Sequence, residues 1–531
     1  MFQYLERSHH ARSGVMDVSN QPVCPSSGRL ILTLCLLLAL CGPLQVALAQ
    51  CETKLLASDG SDYDSFGTCV SIDGDLAVVG ADFADGAMGA AGAAYVLRHD
   101  GSAWHEEAKI FATDGRGSDY FGRFVAIDND VIVAGAPNHE PDLHGQGAAY
   151  IFRYDGSSWL QVAKLRPSDL QQHDSFGVRV AIDSNVVVIG ATGVNGDRGA
   201  VYVYRNDGVG WSMEAKLLAS DGVPEDRFGI SVSVSGDVLI VGANYDDSRT
   251  GAAYVYRFNG TTWQEEAKLI ATDAQTFTFF GTSVSTNGQE AVVGAFSATG
   301  NALSSGAAYV YKCDGSDWVE VAKLAASDGE SGDYFGESVS ISSNLIVIGA
   351  TVDSHSNGSF GSAYVYRYED SHWLQSAKLT ASDGDGRHGF GLAVSLTDDA
   401  TTVVGCRHDD DLGTKSGSAY VYQLAECPVL EVSPTPLVAG EYASFGCTGM
   451  TPNTQTFLAY SLRGPGSTYV PPLDITLDLK QPAQAGEATL SDSTGTAGWR
   501  IRVPNAGAGR EVWFQACQYQ VKSNVVATSV E

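Results

Sequence analysis

The stretch Gly251–Gly260 reads GAAYVYRFNG, and close variants of it recur along the chain. They are GAAYIFRYDG at 147–156, GAAYVYKCDG at 306–315 and GSAYVYRYED at 361–370. The core of each copy alternates like a half-buried strand, and Asn-Gly or Asp-Gly follows in three of them, which is typical of a tight hairpin turn. The chain therefore repeats one β-prone unit.

Three further markers accompany this string in a fixed order. They are a Phe-Gly pair, an apolar run ending in Gly-Ala, and a Lys-Leu or Lys-Ile pair. The Phe-Gly pairs begin at Phe66, Phe121, Phe176, Phe228, Phe280, Phe335 and Phe390. Successive pairs lie 52 or 55 residues apart, so seven copies of one unit are present. Such regularity predicts a repeat architecture.

Each unit contains four predicted strands, represented by FGISVSVSG, DVLIVGA, AAYVYRF and WQEEAKLIA. Seven four-stranded antiparallel units predict an all-β fold, a seven-bladed β-propeller in which neighbouring blades cover each other's apolar faces. The array ends after a third strand and begins with a lone fourth strand at 51–57. We therefore expect the N-terminal strand to complete the last blade, with Cys51 and Cys427 placed to form a disulfide across this seam.

The composition excludes several classes of protein and of partner. Among 531 residues, 60 are Gly and 44% are hydrophobic, which suits turn-rich β structure and does not suit disorder. The net charge of −30 repels nucleic acid and anionic lipid. We expect a protein or glycan ligand instead, and the sequence does not indicate an oligomeric state.

The N-terminus has the pattern of a signal peptide. Arg29 precedes the apolar run at 30–40, and Ala47 and Ala49 match a small-x-small cleavage site before Gln50. We assign residues 1–49 to the signal, with either Met1 or Met16 as the start, and expect a secreted protein, extracellular or periplasmic. No other stretch predicts a membrane span.

The order of Phe-Gly, apolar strand and Gly-Ala resembles the FG-GAP repeat of integrin α-subunit propellers and related secreted proteins. Only Gly135–Pro137 carries the full Gly-Ala-Pro. The resemblance spans the propeller segment, 50–426, and implies that the ligand face carries the long loops. It also implies calcium loops between strands one and two, but here those turns are short, as in IDGDL at 72–76. We do not transfer the family's calcium site to them.

The loops that join strand four to the next strand one are acidic. One Asp lies seven residues before each Phe-Gly pair, and a second lies two residues before most of them. The first set is Asp59, Asp114, Asp169, Asp221, Asp273, Asp328 and Asp383, and the second is Asp64, Asp119, Asp174, Asp226 and Asp333, with Thr278 and His388 as the variants. They form either weak cation sites, with calcium as the cofactor, or turns in which Asp accepts backbone hydrogen bonds. Sevenfold repetition favours the turns.

The loops between strands two and three differ in every blade. One holds Asp409, Asp410 and Asp411, a second holds Asp246 and Asp247, and a third holds His139, Glu140, Asp142 and His144. The third mixture suits a metal ion, but we expect each loop to be a solvated surface. We assign no catalytic or cofactor-binding residue and leave the metal ligands open.

The repeat stops at residue 426. Residues 427–531 show a Pro-bearing, turn-separated β pattern that predicts a small Ig-like β-sandwich. Cys447 and Cys517 are placed either to bridge its two sheets or to remain as buried thiols.

These observations predict a secreted, non-enzymatic binding or adhesion module that uses an acidic long-loop face. Two alternatives remain open. One is an extracellular hydrolase or lyase with carboxylates at the propeller mouth, supported by His139, His144 or His408. The other is a purely structural surface component.

Overall fold

The structure is a computed structural model. It describes residues 51–424, apart from 102, 140–144, 316, 354–360 and 384–388, together with separate segments between 429 and 529. The predicted signal peptide and the boundary at 426/427 lie outside the described residues and stay predictions. No helix among the described residues is long and apolar enough to cross a membrane.

The repeated segment folds into seven four-stranded antiparallel sheets. Strand β1 is Cys51–Leu55. Sheet one holds β2 (Phe66–Asp73), β3 (Leu76–Ala81), β4 (Ala93–His99) and β5 (Trp104–Ile110). Sheet two holds β6 (Phe124–Asp128), β7 (Val131–Ala136), β8 (Ala148–Tyr154) and β9 (Trp159–Leu165). Sheet three holds β10 (Arg179–Asp183), β11 (Val186–Ala191), β12 (Ala200–Asn206) and β13 (Trp211–Leu217). Sheet four holds β14 (Ser231–Ser235), β15 (Val238–Ala243), β16 (Ala252–Phe258) and β17 (Trp263–Leu269).

The remaining repeats follow the same order. Sheet five holds β18 (Ser283–Thr286), β19 (Glu290–Ala295), β20 (Ala307–Cys313) and β21 (Trp318–Leu324). Sheet six holds β22 (Phe335–Ser342), β23 (Leu345–Ala350), β24 (Ser362–Glu369) and β25 (His372–Leu379). Sheet seven holds β26 (Phe390–Leu396), β27 (Thr401–Cys406) and β28 (Ser418–Gln423), and β1 is its fourth strand, pairing antiparallel with β28. Short helical turns lie at α1 (Val194–Asp197) and α2 (Asp246–Arg249). Seven such sheets in chain order are consistent with a seven-bladed β-propeller.

The apolar core lies between neighbouring sheets. Val78 and Val96 of sheet one pack with Ile132 and Tyr150 of sheet two in one buried cluster, and equivalent clusters follow along the array. The Phe of each Phe-Gly pair is buried, and Phe66 meets the Tyr95 ring edge-on at 5.3 Å. Burying one such side chain contributes about 2 kcal/mol. Each sheet therefore packs one apolar face against the preceding sheet and the other against the following sheet.

The glycines of the repeat explain why its motifs recur. Gly122, of a Phe-Gly pair, has φ +80°, and its carbonyl oxygen lies against Gly80, of the preceding sheet's Gly-Ala pair. A Cβ on Gly80 would overlap that oxygen, so the two backbones approach only without side chains. Matching approaches occur at Gly135, Gly190, Gly242, Gly294, Gly349 and Gly405.

The C-terminal segment is also β structure where it is described. Its strands are β29 (Val429–Ser433), β30 (Tyr442–Thr448), β31 (Gln455–Ser461), β32 (Pro465–Val470), β33 (Ile475–Leu479), β34 (Ala483–Gln484), β35 (Thr489–Leu490), β36 (Ala497–Arg502), β37 (Glu511–Gln518), β38 (Val521–Lys522) and β39 (Val526–Ser529). Strands β29, β30 and β36 form one sheet, and β31 and β37 belong to another. Phe445 and Trp499 of the first pack with Leu458 and Phe514 of the second.

The predicted disulfides cannot be assigned from these residues. Cys447 is buried in the C-terminal core, but the side chains of Cys51 and Cys517 and the whole of Cys427 lie outside the described residues. Both pairings stay predictions.

Candidate functional site on the loop face

The long loops of neighbouring sheets lie side by side, as the strand order predicts. The 4–1 loop, which joins strand four to the next strand one, accompanies the 2–3 loop of the preceding sheet. Thus the Arg227 N–H donates to the Asp197 carbonyl at 2.8 Å, and the Phe279 N–H donates to the Arg249 carbonyl at 3.1 Å. We call the surface formed by the 4–1 and 2–3 loops the loop face.

The first Asp of each 4–1 loop is bound by two side chains of the sheet that follows. In sheet four, the Tyr254 hydroxyl donates to Asp221 at 2.8 Å and the Lys268 ammonium donates to it at 2.7 Å. The ammonium also lies 5.2 Å from the centre of the Tyr254 ring. We call this arrangement the Asp–Tyr–Lys cluster.

The Asp–Tyr–Lys cluster occurs in all seven sheets. Its members, in chain order of the Asp, are Asp59–Tyr95–Lys109, Asp114–Tyr150–Lys164, Asp169–Tyr202–Lys216, Asp221–Tyr254–Lys268, Asp273–Tyr309–Lys323, Asp328–Tyr364–Lys378 and Asp383–Tyr420–Lys54. Burial alone would raise the pKa of Asp273, but the hydrogen bonds from Lys323 and Tyr309 outweigh it and hold that pKa below its usual range. These carboxylates are engaged by the scaffold.

The second Asp of the 4–1 loop closes a turn. The backbone N–H of Ser61 donates to the Asp64 carboxylate at 2.9 Å. In the same way, the backbone N–H three residues before the Asp donates to Asp119, Asp174, Asp226 and Asp333. This confirms the turn interpretation for the second set. At Thr278 the hydroxyl donates to the Gln275 and Thr250 carbonyls instead. His388 lies outside the described residues.

The acidic 2–3 loops are solvated only in part: Asp247, Asp410 and Asp411 are exposed, as the sequence predicts, but one Asp of each loop is buried. Asp246 is buried and accepts from Lys268 at 2.7 Å and from Tyr254 at 2.7 Å. Asp409 is buried against Lys54, at 2.9 Å, and Tyr420. For Asp246 and Asp409 the prediction was wrong, because the Lys of strand four binds a second carboxylate. Asp353 in sheet six, which the sequence analysis did not single out, has the same role toward Lys378.

His139 serves the same purpose in sheet two. Its side chain is 2% exposed, Nδ1 lies 2.7 Å from Asp119, and Nε2 accepts from Lys164 at 2.8 Å. With both ring nitrogens bonded, His139 is neither a solvated residue nor an open metal ligand. Its predicted companions Glu140, Asp142 and His144 lie outside the described residues.

Across the described part of the chain, no group of three or more His, Cys, Asp or Glu side chains is placed to hold a metal ion. The short 1–2 turns carry a different contact. Asp73 accepts the Asn129 N–H at 2.6 Å, and Asp128 accepts the Ser184 N–H at 2.6 Å, so these acids join neighbouring turns. Calcium binding elsewhere stays an untested prediction.

The sequence analysis missed a row of aromatic rings on the loop face. Phe279 and Phe296 stack with centres 4.9 Å apart, Tyr245 meets Phe279 at 5.7 Å, and Tyr334 meets Phe296 at 5.5 Å. Tyr334 is 37% exposed, and the other three are half-buried. We call these four side chains the aromatic row.

Arginine flanks the aromatic row. The Arg227 guanidinium lies 4.0 Å from the centre of the Tyr245 ring, and that of Arg249 lies 4.9 Å from it. Aromatic and arginine side chains are the residues that most often carry binding energy at protein surfaces. The signal in the sequence was the run FTFFG at 277–281, which breaks the acidic pattern of the other 4–1 loops.

Comparison with known families agrees with the repeat geometry. The model of the FG-GAP repeat matches seven times, at residues 50–97, 104–152, 159–204, 211–256, 263–311, 318–366 and 373–422. The chain belongs to the FG-GAP repeat family. Each of the seven matched ranges of this FG-GAP protein ends within the third strand of a sheet. The family repeat therefore begins with the fourth strand of the preceding sheet.

Curated proteins and solved structures were also compared with the chain. No curated protein matches the chain. Among solved structures, it is similar to Sqt1 from Chaetomium thermophilum, with 13% identity over 90% of this chain and 100% of that one and a TM-score of 0.40. A likeness of that size carries no argument about function.

Proposed function

We propose that this FG-GAP protein is a secreted, non-enzymatic binding or adhesion module, and that its seven sheets close into a ring that presents the loop face to a ligand. A rigid ring suits this purpose because it holds variable loops in fixed positions. The arrangement of the loop-face side chains carries the proposal, and the seam between the last and first sheets supports the ring.

The contacts at the seam match those at the other junctions. The Ile72 N–H donates to the Ser395 hydroxyl at 3.1 Å, as the Ile127 N–H does to Ser71. The Ser58 hydroxyl, in the loop after β1 of sheet seven, donates to Glu106 of sheet one at 2.8 Å, as that of Ser382, in the loop after sheet six, does to Glu52 of sheet seven at 2.7 Å. The junction of sheets seven and one repeats the pattern of the others, which supports a closed ring.

A cavity on the axis also supports the ring. It has a volume of about 850 Å³ and lies at the end formed by the 1–2 turns. Its lining comes from all seven sheets and includes Ile72, Ile127, Ile182, Val234, Thr286, Ile341 and Leu396. Equivalent residues of seven sheets around one space are what a closed ring of sheets would bring together.

The aromatic row is the single observation that carries the binding function. The acidic side chains of this face, which the sequence puts forward as its binding feature, are largely engaged by Lys, Tyr and backbone N–H groups. The row lies among them with four adjoining rings and partial exposure. Contiguous exposed apolar surface on a soluble protein marks an interaction site.

The test is binding of purified protein to immobilised collagen, fibronectin, laminin and a set of polysaccharides. We expect binding to at least one, and its loss in a Phe279→Ser, Phe296→Ser double variant. Leu160→Ser is the matched control, because Leu160 is 50% exposed on β9, away from the loop face. Equal binding by the double variant and the control would contradict the proposal, as would no binding to any surface by the wild type.

The C-terminal segment is proposed to be an Ig-like sandwich that acts as a spacer or a second adhesion unit. Two sheets that share the core of Phe445, Leu458, Trp499 and Phe514 support this assignment. A spacer of this kind would leave the loop face free to meet its ligand.

A further inference from the structure

A group of charged side chains gathers where strands one and two reach the loop face. Arg123 and Glu337 directly follow their Phe-Gly pairs, and Arg179 begins β10 two residues after its own. Asp82 and Arg407 directly follow the ends of β3 and β27. We call these five side chains, which come from sheets one, two, three, six and seven, the axial cluster.

Charges of the axial cluster act on one another between sheets: Arg407 and Arg123 lower the pKa of Asp82, which burial raises. Burial lowers the pKa of Arg179 to about 10, Arg123 acts in the same direction, and Glu337 opposes it. Arg179 belongs to sheet three and Glu337 to sheet six, the largest separation that a ring of seven allows. The Gly122 carbonyl lies against Gly80, and the Gly67 carbonyl lies against Gly405, so Arg123, Asp82 and Arg407 each follow a glycine junction between sheets. In the proposed ring, these junctions surround the loop-face mouth of the central channel.

Part of the axial cluster has no hydrogen-bond partner. Asp82 is 1% exposed, and although the neighbouring Thr68 hydroxyl lowers its pKa, neither of its oxygens makes a hydrogen bond of normal geometry with any residue that the structure describes. The buried Nε of Arg407 likewise has no acceptor among the described residues. Buried polar groups normally find partners, since leaving them unpaired destabilises the fold. Free acceptors beside a free donor are what a bound polar ligand would satisfy.

Among the described residues, no carboxylate forms an ion pair with Arg179, and other groups hold it in place. Its guanidinium lies 3.7 Å from the centre of the Phe124 ring, and Nη1 donates to the Val178 carbonyl at 2.9 Å. The ring and the carbonyl fix its plane and leave other N–H groups for a ligand. A guanidinium held in this way matches the two oxygens of a carboxylate.

Two aromatic rings adjoin the axial cluster. Phe83 follows Asp82 in the chain and is 37% exposed, and its ring meets that of Tyr120 at 5.1 Å. Arg123 lies over Tyr120 at 5.5 Å. Aromatic rings next to charged groups suit a ligand with both an apolar face and polar substituents, which is the character of a sugar ring.

We propose that the axial cluster binds a small sugar acid, whose carboxylate is held by Arg179 and Arg407 and whose hydroxyl group donates to Asp82. The inference rests on the proposed function, because it assigns a chemistry to the ligand of the same face. The net charge of −30 opposes long polyanions and favours a single acidic sugar or chain end. Three guanidiniums against two carboxylates leave the cluster itself net positive.

The test is calorimetric titration of the full chain with D-glucuronate, with D-glucose and with acetate. We expect glucuronate to bind most tightly, because only it offers both a carboxylate and hydroxyl donors. Arg179→Gln should weaken glucuronate binding by about tenfold or more. Arg153→Gln is the matched control, since it removes the same charge from an exposed pair with Asp130 at the other end of the sheets. Asp82→Asn provides a second variant if Arg179→Gln fails to fold.

Three results would overturn the inference: no glucuronate binding by the wild type, equal binding of acetate or glucose, or unchanged binding in the Arg179→Gln and Asp82→Asn variants. Failure here is distinguishable from failure of the proposed function. If the wild type binds an immobilised surface through the aromatic row but does not bind glucuronate, only the axial site is wrong.

Discussion

The Asp–Tyr–Lys clusters and the axial cluster lie on the same face, but only the first repeats. Asp273, which stands for the seven, has its carboxylate bound by Lys323 and Tyr309. Asp82 is more deeply buried than Asp273 and makes no hydrogen bond of normal geometry with any described residue. A requirement of the scaffold recurs in every sheet, whereas a binding site needs each residue once. Repetition thus separates structural acids from functional ones.

The largest effect is expected where repetition is strictest, at the glycine junctions. In Gly135→Ala the new Cβ would overlap the carbonyl oxygen of Gly177 in the next sheet. We expect a loss of about 3 kcal/mol or more in the free energy of unfolding, measured by urea denaturation. Gly101→Ala is the control, because Gly101 has open space around it and a φ of +92°, so only about 1 kcal/mol of backbone strain follows. Similar losses in both would contradict the junction role.

The second-largest loss of stability is expected at an Asp–Tyr–Lys cluster that holds a second carboxylate. Lys378 binds Asp328 at 2.7 Å and also pairs with buried Asp353, so Lys378→Met leaves a buried charge without its cation. We expect a loss of about 2 kcal/mol, seen as a lower urea midpoint. Arg153→Met breaks an exposed pair with Asp130 and should cost less than about 1 kcal/mol. An equal loss of stability in both variants would mean that the cluster contributes no more than an exposed surface ion pair.

The clusters also predict how stability responds to acid. Burial raises the pKa of the first Asp in six clusters, but the hydrogen bonds from Lys and Tyr and the charge of Lys together outweigh it and leave each pKa lowered. A lowered folded pKa gives stability that is complete above the unfolded value, 3.8, and is lost as pH falls through the folded value. Melting temperatures should therefore fall steeply below about pH 4. Lys378→Met should show a shallower fall, and a steeper one would contradict the account.

Most of the fold follows from the sequence because its signals are local. Alternation, Gly-Ala ends and tight turns predict the four strands, and the lone strand at 51–57 predicts the pairing of β1 with β28 that is observed. The order of strands predicts that the 2–3 and 4–1 loops share a face, and their hydrogen bonds agree.

The site was harder to predict because its residues meet only in three dimensions. The Asp before Phe-Gly, the Tyr of AYVY and the Lys of the Lys-Leu pair each recur seven times. Their equal repetition was a signal that they act together, but nothing in one repeat places Asp221 beside Lys268, 47 residues away. The acidic loops suggested a metal-ion site, but the Lys side chains of strand four already bind these carboxylates.

The axial cluster was missed for the opposite reason, since its residues are exceptions to the repeat. Arg123 and Glu337 occupy a position where other copies have Thr, Val, Ile or Leu. Listing the departures from the repeat, rather than its agreements, would have found them.

The most direct test of this separation is a paired measurement of melting temperature at neutral pH for Asp82→Asn and Asp273→Asn. Burial raises the pKa of Asp82, with Arg407 and Arg123 opposing, so its charge destabilises the fold. The account predicts that Asp82→Asn melts about 1–2 °C above the wild type and that Asp273→Asn melts below it by a similar amount. A fall in both melting temperatures would contradict it, because Asp82 would then be another structural acid.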